Sequence, residues 1–287
     1  MICQKPQILF ADIDKILKPK IEFFQQLGFE DSELHKFLSM HATILTHSLH
    51  KTLVPSVDTV RKIAYNEKDV IHVLLRTGWI LPKWKRISCN VAFLESCGIV
   101  GSQLSMLLKE QSRIFVASES KLRNLVSRAV NMGFDLNSRM LVHALETVSS
   151  LSIKTFERKL ELIQSYGFSI DDSRQMFRRA PLLLRVSERK LMVGMEVFLH
   201  TIMLPKSVLV HRPQILMYSM EDRVIPRYKV LQLLISEKVL KKHPSFIRLI
   251  ELPEEKFLND YIFQYRNIAE ALLVVYKGHY LEAGSTS

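Results

Sequence analysis

The sequence predicts an all-α fold, a solenoid of helical repeats, on three observations. An apolar-Gly-apolar signature recurs as Leu27-Gly28-Phe29, Ile63-Ala64-Tyr65, Cys97-Gly98-Ile99, Met132-Gly133-Phe134 and Tyr166-Gly167-Phe168, in steps of 36, 34, 35 and 34 residues. Apolar residues stand in fixed columns on either side of it. A proline, Pro181, follows the last of these glycines by 14 residues. A period in this range marks an array whose units each form one supersecondary element and share a continuous core. Function is then expected on an extended surface rather than in a catalytic pocket.

Each repeat reads as helix, Gly turn, helix, break and plug. Seven residues before the Gly (or Ala64) stand Ile21, Val57, Val91, Val126 and Leu160, and four before it Phe24, Val60, Leu94, Ala129 and Ile163. Apolar residues three apart define one face of an amphipathic helix. The Gly then ends it, because positive φ costs little without a Cβ. Nine residues after the Gly come Phe37, Val73, Leu107, Val142 and Met176, and ten after it Leu38, Leu74, Leu108, His143 and Phe177, a second helix on the same core. Its start is marked by Ser169 with Asp172, a capping-box pattern, and by Asp31 and Ser102 as N-cap types. Pro181 closes that helix, since proline cannot continue it. The plug follows as Ile44-Leu45, Ile80-Leu81, Ile114-Phe115 and Leu183-Leu184, and Pro19, Pro55 and Pro82 are placed as first helical residues of the next repeat.

The fourth repeat fits less well, with Ser149 and Ser150 in the plug columns unless the register shifts to Val148 and Leu151. Beyond Gly167 the Gly column is lost and the prolines close up, Pro213 and Pro244 following at 32 and 31 residues. The expectation is a single solenoid over residues 1–270, about seven to eight units of roughly 31–36 residues with the first incomplete, then a C-terminal end and disordered tail over 271–287. Pro6-Gln7-Ile8-Leu9 reads either as the tail of a truncated unit or as an atypical capping end.

Composition narrows the function classes. Three cysteines, Cys3, Cys89 and Cys97, without CxxC spacing argue against a disulfide framework and a zinc site. No apolar run approaches the length of a membrane span, and Asp12 and Asp14 interrupt the only early apolar run, so neither a secretory nor a transit-like leader is read. No Gly-rich phosphate loop, HExxH or GxSxG is present. The expectation is therefore no enzyme, no catalytic residues, no metal and no cofactor. Asp12 and Asp14 read as helix-start charges, His41, His47 and His50 as surface or cap residues, and His143 as partly buried. Trp79 and Trp84 read as core, with base stacking as the alternative.

Net charge is +11, from 40 Lys and Arg against 29 Asp and Glu, and its placement is uneven. Residues 174–248 hold 15 basic against 5 acidic side chains, whereas the rest of the chain is nearly balanced. Such a field attracts polyanions through counterion release. The candidate binding residues are Arg174, Arg178, Arg179, Arg185, Arg189, Arg212, Arg223, Arg227 and Lys229, with Lys190 beside them. Arginine suits phosphate because its planar fork bonds two oxygens. Arg178, Arg179, Arg223 and Arg227 are the strongest candidates; Arg212 reads equally as a structural residue bonding carbonyls at a unit end.

The unit-ending Pro-x-x-Leu pattern appears at Pro6-Gln7-Ile8-Leu9, Pro181-Leu182-Leu183-Leu184 and Pro213-Gln214-Ile215-Leu216. With the run Phe177-Arg178-Arg179-Ala180-Pro181 and the string from Arg212 through Met220-Glu221-Asp222-Arg223-Val224-Ile225-Pro226-Arg227-Tyr228, it resembles the mitochondrial transcription termination factor (mTERF) family, in its land-plant organellar branch. The sequence departs from that pattern where Ala42, Gly78, Ser112 and Thr147 replace proline. The resemblance implies a right-handed superhelix with a concave basic surface that binds nucleic acid. It also implies a monomer in a mitochondrion or chloroplast, acting in transcription termination or regulation on duplex DNA. The alternatives are structured RNA, in intron splicing or ribosomal RNA maturation, and a protein-binding helical scaffold.

Overall fold

The computed structural model describes residues 6–64, 66–240, 242 and 244–283, with side chains to residue 278. Cys3 and Tyr65 lie outside them. Regular structure among the described residues is entirely helical, and no helix is long and apolar enough to cross a membrane. The chain divides into two compact bodies, Met1–Ser152 and Ile153–Ser287, where the sequence reading draws one array.

In the N-terminal body the helices alternate as first and second members of each repeat. The first members are α1 Lys18–Gln26, α3 Val54–Ile63, α5 Trp84–Ser96 and α7 Glu119–Asn131. The second members are α2 Asp31–Met40, α4 Glu67–Thr77, α6 Ser102–Gln111 and α8 Leu141–Ser150, stacked in that order. The plugs are 3-10 turns, Ala42–Thr46, Gly78–Lys83 and Ser112–Val116, stacked likewise. The fourth repeat has no such turn: α8 runs through Ser150, and Val148 is buried in place of a plug residue. Asp31 and Ser102 are first helical residues rather than caps, the N-caps being Glu30 and Gly101.

The C-terminal body continues with α9 Ile153–Ser165, α10 Ile170–Arg179, a 3-10 plug Pro181–Arg185, α11 Glu188–Glu196, α12 Lys206–His211 and a plug Pro213–Met217. Next come α13 Ile225–Ser236, α14 Phe246–Glu251, α15 Glu254–Leu258 and α16 Ala269–Ala283. Ser169 and Asp172 form the capping box that the sequence predicts. The last helix corrects the expected tail: α16 packs along α13 and buries Leu272 and Tyr276.

Gly28, Gly98, Gly133 and Gly167 take positive φ of 93°, 80°, 90° and 78°, as their role at helix ends requires. The left-handed turn does not stop there. Met203 and Lys238 sit at φ 60° and 57°, which continues the column in steps of 36 and 35 residues. The shortening beyond Gly167 is therefore not a shorter period at the turn. It comes from the second helix, which is ten residues in α10 and six in α12, so that proline arrives sooner.

The first helices bury the expected stripe only in part. The column four before the turn is fully buried, and of the column seven before it Val57 and Val126 are buried while Ile21, Val91 and Leu160 are half-buried. The stripe runs also through the residue eight before, which is Lys20, Ser56, Asn90, Leu125 and Lys159, all buried and mostly polar. Each polar member reaches the fourth residue of its own plug, 25 residues on. Lys20 Nζ donates to the Leu45 carbonyl at 2.5 Å, Ser56 Oγ to Leu81, Asn90 Nδ2 to Phe115 at 2.9 Å and Lys159 Nζ to Leu184 at 2.8 Å. Arg227 does the same from α13, bonding Leu252 at 2.6 Å with Leu249 and Ile250 beside it. Burial pulls the ammonium groups of Lys20 and Lys159 below the ordinary lysine pKa. Where the column holds Leu125, Arg128 one turn later bonds Val148 at 3.4 Å. Counted from the N-cap, Asn90, Leu125 and Gly194 are each seventh; Gly194 in α11 has no side chain, and a Cβ there would stand 3.0 Å from Leu216.

Prolines shape the starts of three helices. Pro19, Pro55 and Pro226 each lie seven residues after an N-cap, Asp12, Ser48 or Ser219, so they are not the first residues of a continuous helix. A proline there lacks the N–H and crowds the carbonyl four residues back. The first turn responds by widening to π geometry, with Leu17, Leu53 and Val224 donating to the carbonyls of Asp12, Ser48 and Ser219 at 3.2, 3.1 and 3.0 Å. Pro82 instead lies inside the plug before α5.

Arg227→Met removes the side-chain donor of the Leu249 carbonyl, leaves those of Ile250 and Leu252 to Arg223 alone, and is expected to cost about 3 kcal/mol in urea unfolding. Met203→Gly relieves a left-handed residue with an exposed side chain and is expected to gain about 0.5–1 kcal/mol in the same measurement. Gly167→Ala is expected to lose about 1–2 kcal/mol.

Candidate nucleic-acid interface

The nine candidate residues lie in the C-terminal body and separate into two groups by what their side chains touch. Arg174 and Arg178, four apart on α10, share a helix face turned away from the buried Met176 and Phe177, and both are exposed. Arg189, in the first turn of α11, is exposed beside Lys190. It lines a shallow recess of about 220 Å³ with Ser187, Val193, Ser219 and Glu221. Lys229 is exposed on α13. Among the described residues, no acidic side chain pairs with Arg174, Arg178, Arg189 or Lys229. Arg185 is exposed at the end of its plug. Arg179, also exposed, turns one guanidinium nitrogen to the His211 carbonyl at 3.4 Å, at the end of α12.

The other group is structural. Arg227, a leading candidate from sequence, is fully buried, with its guanidinium 4.4 Å from the Phe257 ring centre. Beyond the three carbonyls, it donates to Glu254 Oε2 at 2.8 Å. Arg223 donates to the carbonyls of Ile250 and Leu252 at 2.8 and 2.7 Å and stacks on Tyr218. Arg212 pairs with Glu251 at 3.2 Å, a carboxylate rather than the carbonyl expected of it. A fully buried guanidinium is out of reach of a phosphate, which withdraws Arg227 from the candidate surface, and the two carbonyls that hold Arg223 give it a mainly structural role. The other sequence-derived assignments resolve simply. Asp12 caps the first turn by accepting from the Lys15 N–H, and buried His41 bonds the Leu75 carbonyl at 3.1 Å. Trp79 and Trp84 are half-buried, within 6 Å of Lys83 and Lys85 respectively, rather than core residues.

This arrangement, stacked two-helix repeats closed by Pro-x-x-Leu plugs, agrees with the comparison by family. The mTERF family model matches residues 1–146 and 147–258. The chain belongs to the mTERF family. It is also similar to an Arabidopsis thaliana protein named "Transcription termination factor MTERF8, chloroplastic", at 24% identity over 237 residues. That match covers 80% of this chain and 46% of the relative, so the chain spans about half the relative's length.

Within the mTERF repeat, the string that most resembles the family, Arg212 to Tyr228, carries the buried Arg227 and the carbonyl-bound Arg223. Its strength as a signature thus reflects the interior of the repeat. Sequence reasoning missed the buried donor column because polar residues were read as surface. The signal was available: Lys20, Ser56, Asn90 and Lys159 keep the repeat register, each eight residues before the turn.

Glu254 ties this cluster to the last helix. Tyr276 Oη donates to its Oε1 at 2.7 Å. Partial burial pushes the carboxyl pKa up, but hydrogen bonds from Tyr276 and Arg227 and the charges of Arg227 and Arg223 together leave it below the ordinary carboxylate value. Burial, and donation to Glu254, push the Tyr276 hydroxyl up to about 12. A lowered carboxyl contributes stability above its unfolded pKa and loses it as pH falls through the folded value; a raised phenol contributes below pH 10 and loses it as pH rises toward 12. Stability of the protein is therefore expected to fall on both limbs. Glu254→Gln is expected to flatten the acid limb in pH-dependent thermal unfolding, and Tyr276→Phe the alkaline one.

Proposed function

We propose that this protein binds nucleic acid, duplex DNA by preference, as a factor in organellar transcription. The observation that carries the proposal is the set of outward cations on the C-terminal body, Arg174, Arg178, Arg189 and Lys229, none held by an acidic partner among the described residues. Free guanidinium forks on a rigid helical frame suit phosphate oxygens, and positioning of a backbone needs no sequence-reading contact. Membership of the mTERF family supports the nucleic-acid reading. The name of the Arabidopsis relative, with its transcription termination and chloroplast, supports the process and an organelle, the chloroplast ahead of the mitochondrion.

The mechanism is electrostatic. Polyanion binding to this face releases counterions, so affinity falls linearly with salt on logarithmic axes. Arg174 and Arg178 present two forks one helical turn apart, and Arg189 with Lys190 adds a second point of attachment in the next repeat. Arg212 is already neutralised by Glu251 and contributes little to such binding.

The test is a salt titration of binding to labelled duplex DNA, with organellar intron RNA as competitor. Arg174→Gln, Arg178→Gln, Arg189→Gln and Lys229→Gln combined are expected to reduce the magnitude of the log–log slope by about 3–4, while Arg212→Gln leaves it nearly unchanged. Displacement by the RNA at lower concentration than by unlabelled duplex would replace DNA with RNA as the target. Salt-independent association would overturn the proposal.

A further inference from the structure

The N-terminal body is nearly as basic as the C-terminal one, with 19 Lys and Arg against 14 Asp and Glu over residues 1–152, although the charge has no dense run in sequence. Four of its cations occupy one position of the repeat. Lys15, Lys51, Arg86 and Lys121 follow one another by 36, 35 and 35 residues. Each is the third residue of the first helix in its repeat: the N–H groups of Lys15, Lys51 and Lys121 bond the caps Asp12, Ser48 and Ser118, and Arg86 is third in α5. All four are exposed, and among the described residues none is paired with a carboxylate.

This placement runs against local helix energetics. The start of a helix carries partial positive charge, so its first turn favours Asp and Glu and is destabilised by Lys and Arg. A cation nonetheless recurs in this place in four successive repeats: Asp14 and Glu119 share the first turn with Lys15 and Lys121, whereas the turns of Lys51 and Arg86 hold no acid. Local rules are broken in this way where function requires it. Two recesses open among these residues. One, of about 480 Å³, is lined by Lys51, Lys83, Trp84, Lys85 and Arg86; the other, of about 390 Å³, includes Arg113 and Lys121.

We infer that Lys15, Lys51, Arg86 and Lys121 form a row that tracks one phosphodiester backbone of a nucleic acid. The inference rests on the nucleic-acid reading above and adds to it a second contact line, outside the residue range where the sequence charge is concentrated. The second helices of these repeats pack on one another in succession, and packed helices lie about 8–10 Å apart, so four successive repeats advance roughly 25–30 Å. That is close to one turn of duplex, about 34 Å. A regularly spaced polyanion matches a regularly spaced row, and the helix starts behind each rung add to the attraction.

The experiment compares two variants of the full chain, each four charges less positive. The row variant is Lys15→Gln, Lys51→Gln, Arg86→Gln and Lys121→Gln; the control is Lys36→Gln, Lys62→Gln, Lys68→Gln and Arg76→Gln, all exposed elsewhere in the same body. With labelled duplex DNA, the row variant is expected to lose about tenfold or more in affinity and about 3–4 in salt slope, and the control far less. Thermal stability of the row variant should equal or exceed that of the parent, since cations leave the helix starts, and Lys15→Arg with Lys51→Arg and Lys121→Arg should bind as the parent does. Equal losses in row and control, or an unaffected row variant, would overturn the row while leaving nucleic-acid binding intact. Failure of the parent protein to bind either duplex DNA or RNA would overturn the underlying reading itself.

Discussion

The repeat depends on a hydrogen bond from the buried side of its first helix to the plug that closes it. A 3-10 turn packed into a core leaves carbonyls that neither its own helix nor solvent can satisfy, and an unpaired buried carbonyl costs about 1–3 kcal/mol. A donor on the first helix meets that need, eight residues before the turn at Lys20, Ser56, Asn90 and Lys159 and eleven before it at Arg227, at a constant separation of 25 residues from Lys20 to Leu45 through Arg227 to Leu252. Because one bond joins the start of a repeat to its end, it fixes where the plug sits. The plugs in turn stack on one another within each body, at Ala42–Thr46, Gly78–Lys83 and Ser112–Val116 and again at Pro181–Arg185 and Pro213–Met217. The two exceptions obey the same constraint. Arg128 supplies the donor from one turn further along, and Gly194 lets the backbone of α11 approach the plug where no donor is present.

The chemistry of that donor is free to vary, and this explains what the sequence showed and what it concealed. Lysine, serine, asparagine and arginine all fill the column, because the site selects for reach and an N–H or O–H rather than for one residue type. A reading based on apolar periodicity sees such a column as surface, and so assigns the stripe to Ile21, Val91 and Leu160, which prove half-buried. Glycines at helix ends were legible because only one residue type takes positive φ without cost. The same turn at Met203 and Lys238 was not, since those residues occupy it under strain and carry no signature. The helical class and the repeat length were readable from periodicity alone. The division into two bodies and the extent of α16 depend on packing that no short motif encodes.

The arginines show how one residue type serves two opposed purposes. In the interior, Arg227 is stabilised by three carbonyls, the Phe257 ring and Glu254, and a guanidinium so occupied is insulated from any ligand. On the outside, Arg174, Arg178 and Arg189 are held only by their helices. Sequence charge counts both kinds alike, so the dense run over 174–248 overstates the basic surface of the C-terminal body. Removing Arg227, most of Arg223 and the Glu251-paired Arg212 from that total leaves a more modest field, and it makes the evenly spaced cations of the N-terminal body comparatively more important.

A helical repeat also constrains where such a surface can lie. Second helices and plugs are committed to stacking, and the turn after each first helix is held near the core by buried residues such as Phe29, Ile99, Phe134 and Phe168. The starts of the first helices bury one side, as at Leu53, Ile87 and Leu122, and expose the other, and they recur at the repeat spacing. Charge placed there is displayed at regular intervals without disturbing the donor column one to two turns further along the same helix. Lys15 and Lys20, or Arg86 and Asn90, divide the two duties within a single helix: the outer residue is free in solvent while the inner one anchors the plug. Separation of the two roles along one helix allows the outer position to evolve toward a ligand while the inner position continues to specify the fold.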